Sequence, residues 1–95
     1  MLIDIAKPPS AEDSAIRLNA ADNVAVARVP ISPGTELRIA SAALAALDFI
    51  PAGHKIALRE IPAGQMVLRY GQSIGRATQT ISPGRHVHTH NLAFE

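Results

Sequence analysis

Four times in this chain an isoleucine is followed by serine or proline, then proline or alanine, then glycine. The copies are ISPGTELRI from Ile31, IPAGHKIAL from Ile50, IPAGQMVLR from Ile61 and ISPGRHVHT from Ile81. Proline presets a turn's φ and glycine accepts φ > 0, so each phrase reads as a tight turn. A β-branched residue enters each turn and an alternating or apolar run leaves it, which is the pattern of strand, turn, strand. The turn glycines Gly34, Gly53, Gly64 and Gly84 are 19, 11 and 20 residues apart. That long-short-long order predicts two related halves with a pair of turns in each. Units this short and irregular do not build a solenoid. The expectation is a compact all-β domain of many short strands. Further strands are predicted over Asn23–Val29, Lys55–Ile61, Gln65–Gly71 and Ser73–Ile81. The Ala- and Leu-rich stretch Ala40–Phe49 has the composition of one short helix. Residues 1–17, with Pro8, Pro9 and Ser10, read as a flexible arm ahead of a domain over 18–95.

Ninety-five residues suit a single core with little room for a deep catalytic cleft. Phe49, Tyr70 and Phe94 are the only aromatics, so that core must be aliphatic. The absence of cysteine excludes disulfides, thiolate metal sites and a cysteine nucleophile. Asp4 interrupts the apolar start, which argues against a signal peptide, and no apolar run is long enough to span a membrane. The cytoplasm is the expected compartment. The net charge of +1 hides an asymmetry: residues 1–48 hold six acids and four bases, residues 49–95 five bases, two acids and all four histidines. Such a half suits a small anionic ligand or an acidic protein. It is too sparse in charge and aromatics for nucleic acid.

Candidate chemistry gathers after the turns. His86, His88 and His90 alternate, so in a strand they share one face. At ~3.3 Å per residue, neighbours in that series are roughly 6.6 Å apart and the outer pair about 13 Å apart. Two imidazoles at this spacing can meet on one metal, but three on a straight strand cannot easily share one ion with bonds of ~2.0 Å. The motif therefore offers at most two ligands, no carboxylate stands nearby in sequence, and no metal site is assigned to this chain. The competing reading is a polar strand face with Val87 turned inward. His54 and Lys55 follow a turn glycine, a position at a sheet rim that suits an anion as well as ordinary turn polarity. Arg76, and Arg69 beside Tyr70, offer guanidinium contacts to a carboxylate or simply solvated strand charge. No nucleophile-base spacing, phosphate loop or carboxylate pair is present, which argues against a self-sufficient hydrolase or nucleotide enzyme.

The ordered set DNVAVA, PAGHKIALREI, RYGQSIGRATQ and HVHTHN, spread over Leu18 to Asn91, resembles the N-terminal domain of the altronate and galactarate dehydratases, a member of the SAF group. The resemblance implies a β-clip fold of short strands and long hairpins. It also implies a place beside a larger catalytic dehydratase region, as a domain or a separate subunit, and a divalent metal, iron or manganese, held by that region. This chain itself is expected to carry no cofactor and not to act alone. The implied reaction removes water from a sugar acid: a proton leaves the carbon next to the carboxylate and hydroxide leaves the next carbon, with the metal stabilising the enediolate. The positions that match the family's motifs include His54, Lys55, Tyr70, His88, His90 and Asn91. The resulting expectation is that His88 and His90 are catalytic, and that His54, Lys55, Tyr70, Arg76 and Asn91 bind a small anionic sugar acid. Two other readings fit the same residues: a free-standing module that binds a sugar acid or a protein, and a structural domain that makes homo-oligomer contacts.

Overall fold

A computed structural model of the protein describes residues 14–94. Nine short strands appear in chain order: β1 (Ala15–Ile16), β2 (Val24–Ala27), β3 (Glu36–Ile39), β4 (Ala42–Ala45), β5 (Lys55–Ala57), β6 (Met66–Arg69), β7 (Gln72–Ala77), β8 (His86–Val87) and β9 (Leu92–Phe94). All pairings are antiparallel. The central sheet runs β1-β2-β5-β8, a two-stranded sheet pairs β3 with β4, and a three-stranded sheet runs β6-β7-β9. The all-β expectation holds, and among the described residues there is no helix.

The repeated phrase explains this architecture. In every copy the N–H three residues after the isoleucine's successor closes a turn: Thr35 onto Ser32, His54 onto Pro51, Gln65 onto Pro62 and Arg85 onto Ser82. The four glycines at the third turn position have φ of 84–89°, the left-handed value that a type II turn requires there. Each of these glycine N–H groups then donates to the carbonyl of a buried alanine: Gly34 to Ala46, Gly53 to Ala27, Gly64 to Ala77 and Gly84 to Ala57. A larger side chain at those alanines would hold the turn off the sheet. The isoleucines that open the phrases are buried and bridge in pairs, Ile31 with Ile50 and Ile61 with Ile81. The two predicted halves are therefore real. Each has its own aliphatic core, one around Ile31, Leu37, Ile50 and Ile56, the other around Ile61, Val67, Ile81 and Val87.

Two expectations need correction. Ala40–Phe49 is not helical, because Ala40 and Ser41 both adopt positive φ (52° and 71°) and turn β3 back into β4. Pairing Leu37 with Leu44 and Ile39 with Ala42 places the apolar residues of β3 in the first core, and this outweighs alanine's preference for helix. In the other half, Tyr70 and Gly71 make the matching turn between β6 and β7. The second correction concerns the arm expected over residues 1–17. Ala15 and Ile16 pair with Ala27 and Val26 as strand β1, so this part belongs to the folded domain; the rest of that reading, residues 1–13, lies outside the described residues.

Candidate functional site

The central sheet brings the second and fourth turns together. Strands β5 and β8 pair with Lys55 opposite Val87 and Ile56 opposite His86. Continuing that register by one residue sets His54 across from His88, and their rings stack with centroids 4.3 Å apart. His86 lies diagonally across, its ring centroid 5.1 Å from that of His54 and 5.5 Å from that of His88. His54 Nδ1 and His86 Nε2 are 2.9 Å apart and share a hydrogen bond, so one of these nitrogens is an unprotonated acceptor. His90 is exposed and joins from one side, 5.4 Å from the His86 ring. All four histidines thus meet on one rim.

Their surroundings shape both geometry and charge. Burial holds His86 below the usual histidine range, and the charges of His54, His90 and His88 push the same way against the pull of Asp48. Partial burial, then His54, Lys55 and His90, lower His88. Lys55 is lowered by burial and by Arg69. His86 and His88 are therefore biased toward the neutral imidazole, the form that can accept a proton or hold a metal.

Asp48 and Arg85, which the sequence pattern does not mark, support the rim from below. Asp48 Oδ2 accepts the His86 backbone N–H at 3.0 Å, and its Oδ1 accepts from Arg85 at 2.9 Å. Burial raises the Asp48 pKa, but the hydrogen bond from His86 and the Arg85 guanidinium outweigh this and leave it lowered. Both residues line an open polar cleft of about 410 Å³ with Gln79, Thr80, Ser82 and His90. The signal for the pair is faint in sequence: Asp48 stands just before the second turn phrase and Arg85 just after the fourth glycine, 37 residues away.

The remaining predicted residues separate. Asn91 is 4% exposed and its amide is used within its own turn, accepting from His88 N–H at 2.9 Å and donating to His86 carbonyl at 2.9 Å. It positions the histidine loop and also lines the polar cleft. Tyr70 and Arg76 belong to the β6–β7 hairpin. Tyr70 is exposed at the hairpin turn with the Arg69 guanidinium over its ring, and Arg76 donates to the Gly64 carbonyl.

Residues 13–95 match the family described as the altronate/galactarate dehydratase SAF domain. The chain belongs to that family. It is 41% identical over 76 residues to an altronate dehydratase of Escherichia coli (strain K12), a match that takes in 80% of this chain and 15% of the relative. The altronate dehydratase of Bacillus subtilis (strain 168) is 40% identical over 78 residues, 82% of this chain and 16% of the relative. The alpha subunit of a (2R)-sulfolactate sulfo-lyase from Chromohalobacter salexigens is 47% identical over 45 residues, 47% of this chain and 48% of that subunit. This SAF domain thus spans about a sixth of the length of the altronate dehydratases it matches. Among the described residues no helix is long and apolar enough to cross a membrane.

Proposed function

We propose that this SAF domain works beside a larger, metal-dependent catalytic region of a sugar-acid dehydratase, binding the acid or closing the site over it in the cytoplasm. The observation that supports this most is the histidine rim: four imidazoles from two turns, open to solvent, next to a polar cleft. A rim of this kind is half of a site. Among the described residues nothing encloses it, while the relatives carry most of their length beyond the matched segment. In the joined enzyme His88 and His90 hold or move a proton at the leaving hydroxyl or the adjacent carbon. A neutral imidazole suits this near neutral pH. His54 and Lys55 meet the anionic end of the substrate, and Tyr70 and Arg76, apart from them on the β6–β7 hairpin, are the further substrate contacts of this reading. Asn91 fixes the loop that carries His88. Excluding water on closure would strengthen each of these contacts. The partner is a domain of the same polypeptide or, as the word subunit in the sulfo-lyase relatives suggests, a second chain.

The test is reconstitution with the large catalytic region and an altronate or galactarate substrate. His88→Ala is expected to lower kcat by roughly 10²-fold or more, the scale of a lost acid-base group, and His54→Ala to raise KM. Unchanged kcat and KM in both variants would refute this role for the rim.

A further inference from the structure

We propose that His54, His86 and His88 form a divalent metal site on this chain, of the type that takes zinc. The proposal goes beyond the function above and does not depend on it; with an ion bound, the ligating nitrogens of His54 and His88 are occupied, and proton transfer falls to His90, outside the ligand set. One ring nitrogen from each of the three residues lies within 4.8 Å of the other two. A tetrahedral zinc with Zn–N bonds of about 2.0–2.1 Å sets its donors about 3.3 Å apart, so the rings need to move by roughly an ångström. Half-burial at the rim leaves them room to do so. The contact between His54 and His86, at 2.9 Å, is already shorter than that spacing, and the acceptor nitrogen's lone pair there holds the shared proton. A metal ion would replace the shared proton there.

The alternating triplet suggests His86, His88 and His90 as the natural ligand set, but β8 ends at Val87 and His90 sits on the turn that follows, and among the described residues the ring nitrogens that converge are those of His54, His86 and His88. The fold solves the problem by another route. It keeps only His86 and His88 from the triplet and supplies the third donor, His54, from the facing strand's turn. The backbone of this arrangement is held from two sides. Asp48 accepts the His86 N–H, while Asn91 accepts the His88 N–H and donates to the His86 carbonyl. Three imidazoles without a carboxylate favour zinc, nickel or copper over magnesium, calcium or manganese. Three protein ligands also leave the ion an open position. On this exposed rim that position accepts water or the carboxylate of an incoming acid.

The 95-residue chain, stripped with a chelator, is titrated with zinc chloride and separately with magnesium chloride. Cobalt(II) absorption reports the coordination number. One zinc per chain, no magnesium binding and a four-coordinate cobalt spectrum are expected. His54→Ala, His86→Ala and His88→Ala should each weaken zinc binding by about 100-fold, no less than the loss from disturbing an outer-shell partner. His90→Ala should change it by less than about twofold, consistent with a residue outside the ligand set. Circular dichroism checks the fold of each variant. If one does not fold, ¹⁵N imidazole spectra of the unsubstituted chain decide, because zinc should shift three of the four histidines and leave one. Absence of zinc binding at millimolar metal would overturn the site. So would a loss in His90→Ala equal to that in His86→Ala while His54→Ala binds normally, which would assign binding to the alternating strand face. Either result leaves the reconstitution experiment with the catalytic region untouched, so the two readings fail separately.

Discussion

The domain contains two polar clusters of opposite character. Asp22 and Asn23 are buried, and among the described residues their side chains hydrogen-bond to backbone. Asp22 accepts the N–H groups of Tyr70 and Gly71 at 3.0 and 2.7 Å, while Asn23 accepts from Leu68 and donates to the Met66 carbonyl. Together they clamp the start of β2 to the β6–β7 hairpin, with both acceptor oxygens of Asp22 in use. The histidine rim is half-exposed, its rings touch mainly one another, and ring nitrogens remain to spare. A satisfied buried cluster belongs to folding, because its polar groups are already paired and shielded from solvent. An unsatisfied one at a surface costs little to fold and keeps its capacity for binding. The comparison predicts that damage to the first cluster appears in stability, and damage to the second in binding and activity.

The largest stability effect is expected at Asp22. Asp22→Ala leaves two backbone N–H groups at the hairpin turn without acceptors and removes two charge-assisted hydrogen bonds. A loss of about 3–4 kcal/mol follows, a large share of the ~5–15 kcal/mol that holds a domain together. Asp22→Asn keeps the shape and one good acceptor and should cost about 1–2 kcal/mol. Urea denaturation measures both. If Asp22→Ala folded with native stability, the clamp would not be the structural member of the comparison.

Next come the turn glycines, which form the frame for both clusters. Gly84 and Gly64 have nearly the same φ, 89° and 86°. A Cβ on Gly64 meets nothing, whereas one on Gly84 runs into the Ala45 carbonyl. Gly64→Ala should therefore lose only the backbone preference, about 1 kcal/mol. Gly84→Ala adds a steric conflict and should lose about 2–3 kcal/mol. Equal losses by thermal melting would mean that the fourth turn, which launches the histidines, is docked no more tightly than the third.

Much of this frame was legible in the sequence because its signals are local. Glycine after proline or alanine fixes a turn within four residues, and the glycine spacing separates the two halves. The Ala40–Ser41 turn escaped because neither residue is glycine, and an alanine-rich run looks helical when its strand partner is unseen. The site was half legible for the same reason. Alternation placed His86 and His88 on one face, but only the β5–β8 register brings His54 across from His88. Asp22 reads as an ordinary turn residue, since the N–H groups it accepts lie 48 and 49 residues away. Pairings over such separations are properties of the folded sheet and leave no mark on the nearby pattern.

The smallest stability effect should come from His54→Ala. At pH 7.5 the loss of two half-exposed ring contacts, with His86 and His88, and of the hydrogen bond to His86 should change stability by only about 0.5 kcal/mol, the low end for a hydrogen bond. Its effect should grow with acid. His86 and His88 sit below their ordinary values in the folded chain, through burial and the charges of His54, His90 and Lys55, with Asp48 opposing at His86. Between the lowered folded values and the unfolded value near 6.5, the unfolded chain binds more protons. Stability must then fall as pH drops below about 6.5. Removing His54 removes one of those charges, so chelator-treated His54→Ala should lose less stability than the parent between pH 7.5 and 5. At neutral pH it should be nearly as stable and yet unable to hold zinc or support normal KM. A loss at pH 7.5 comparable with that of Asp22→Ala would place the histidine rim among the folding elements and erase the distinction between the two clusters.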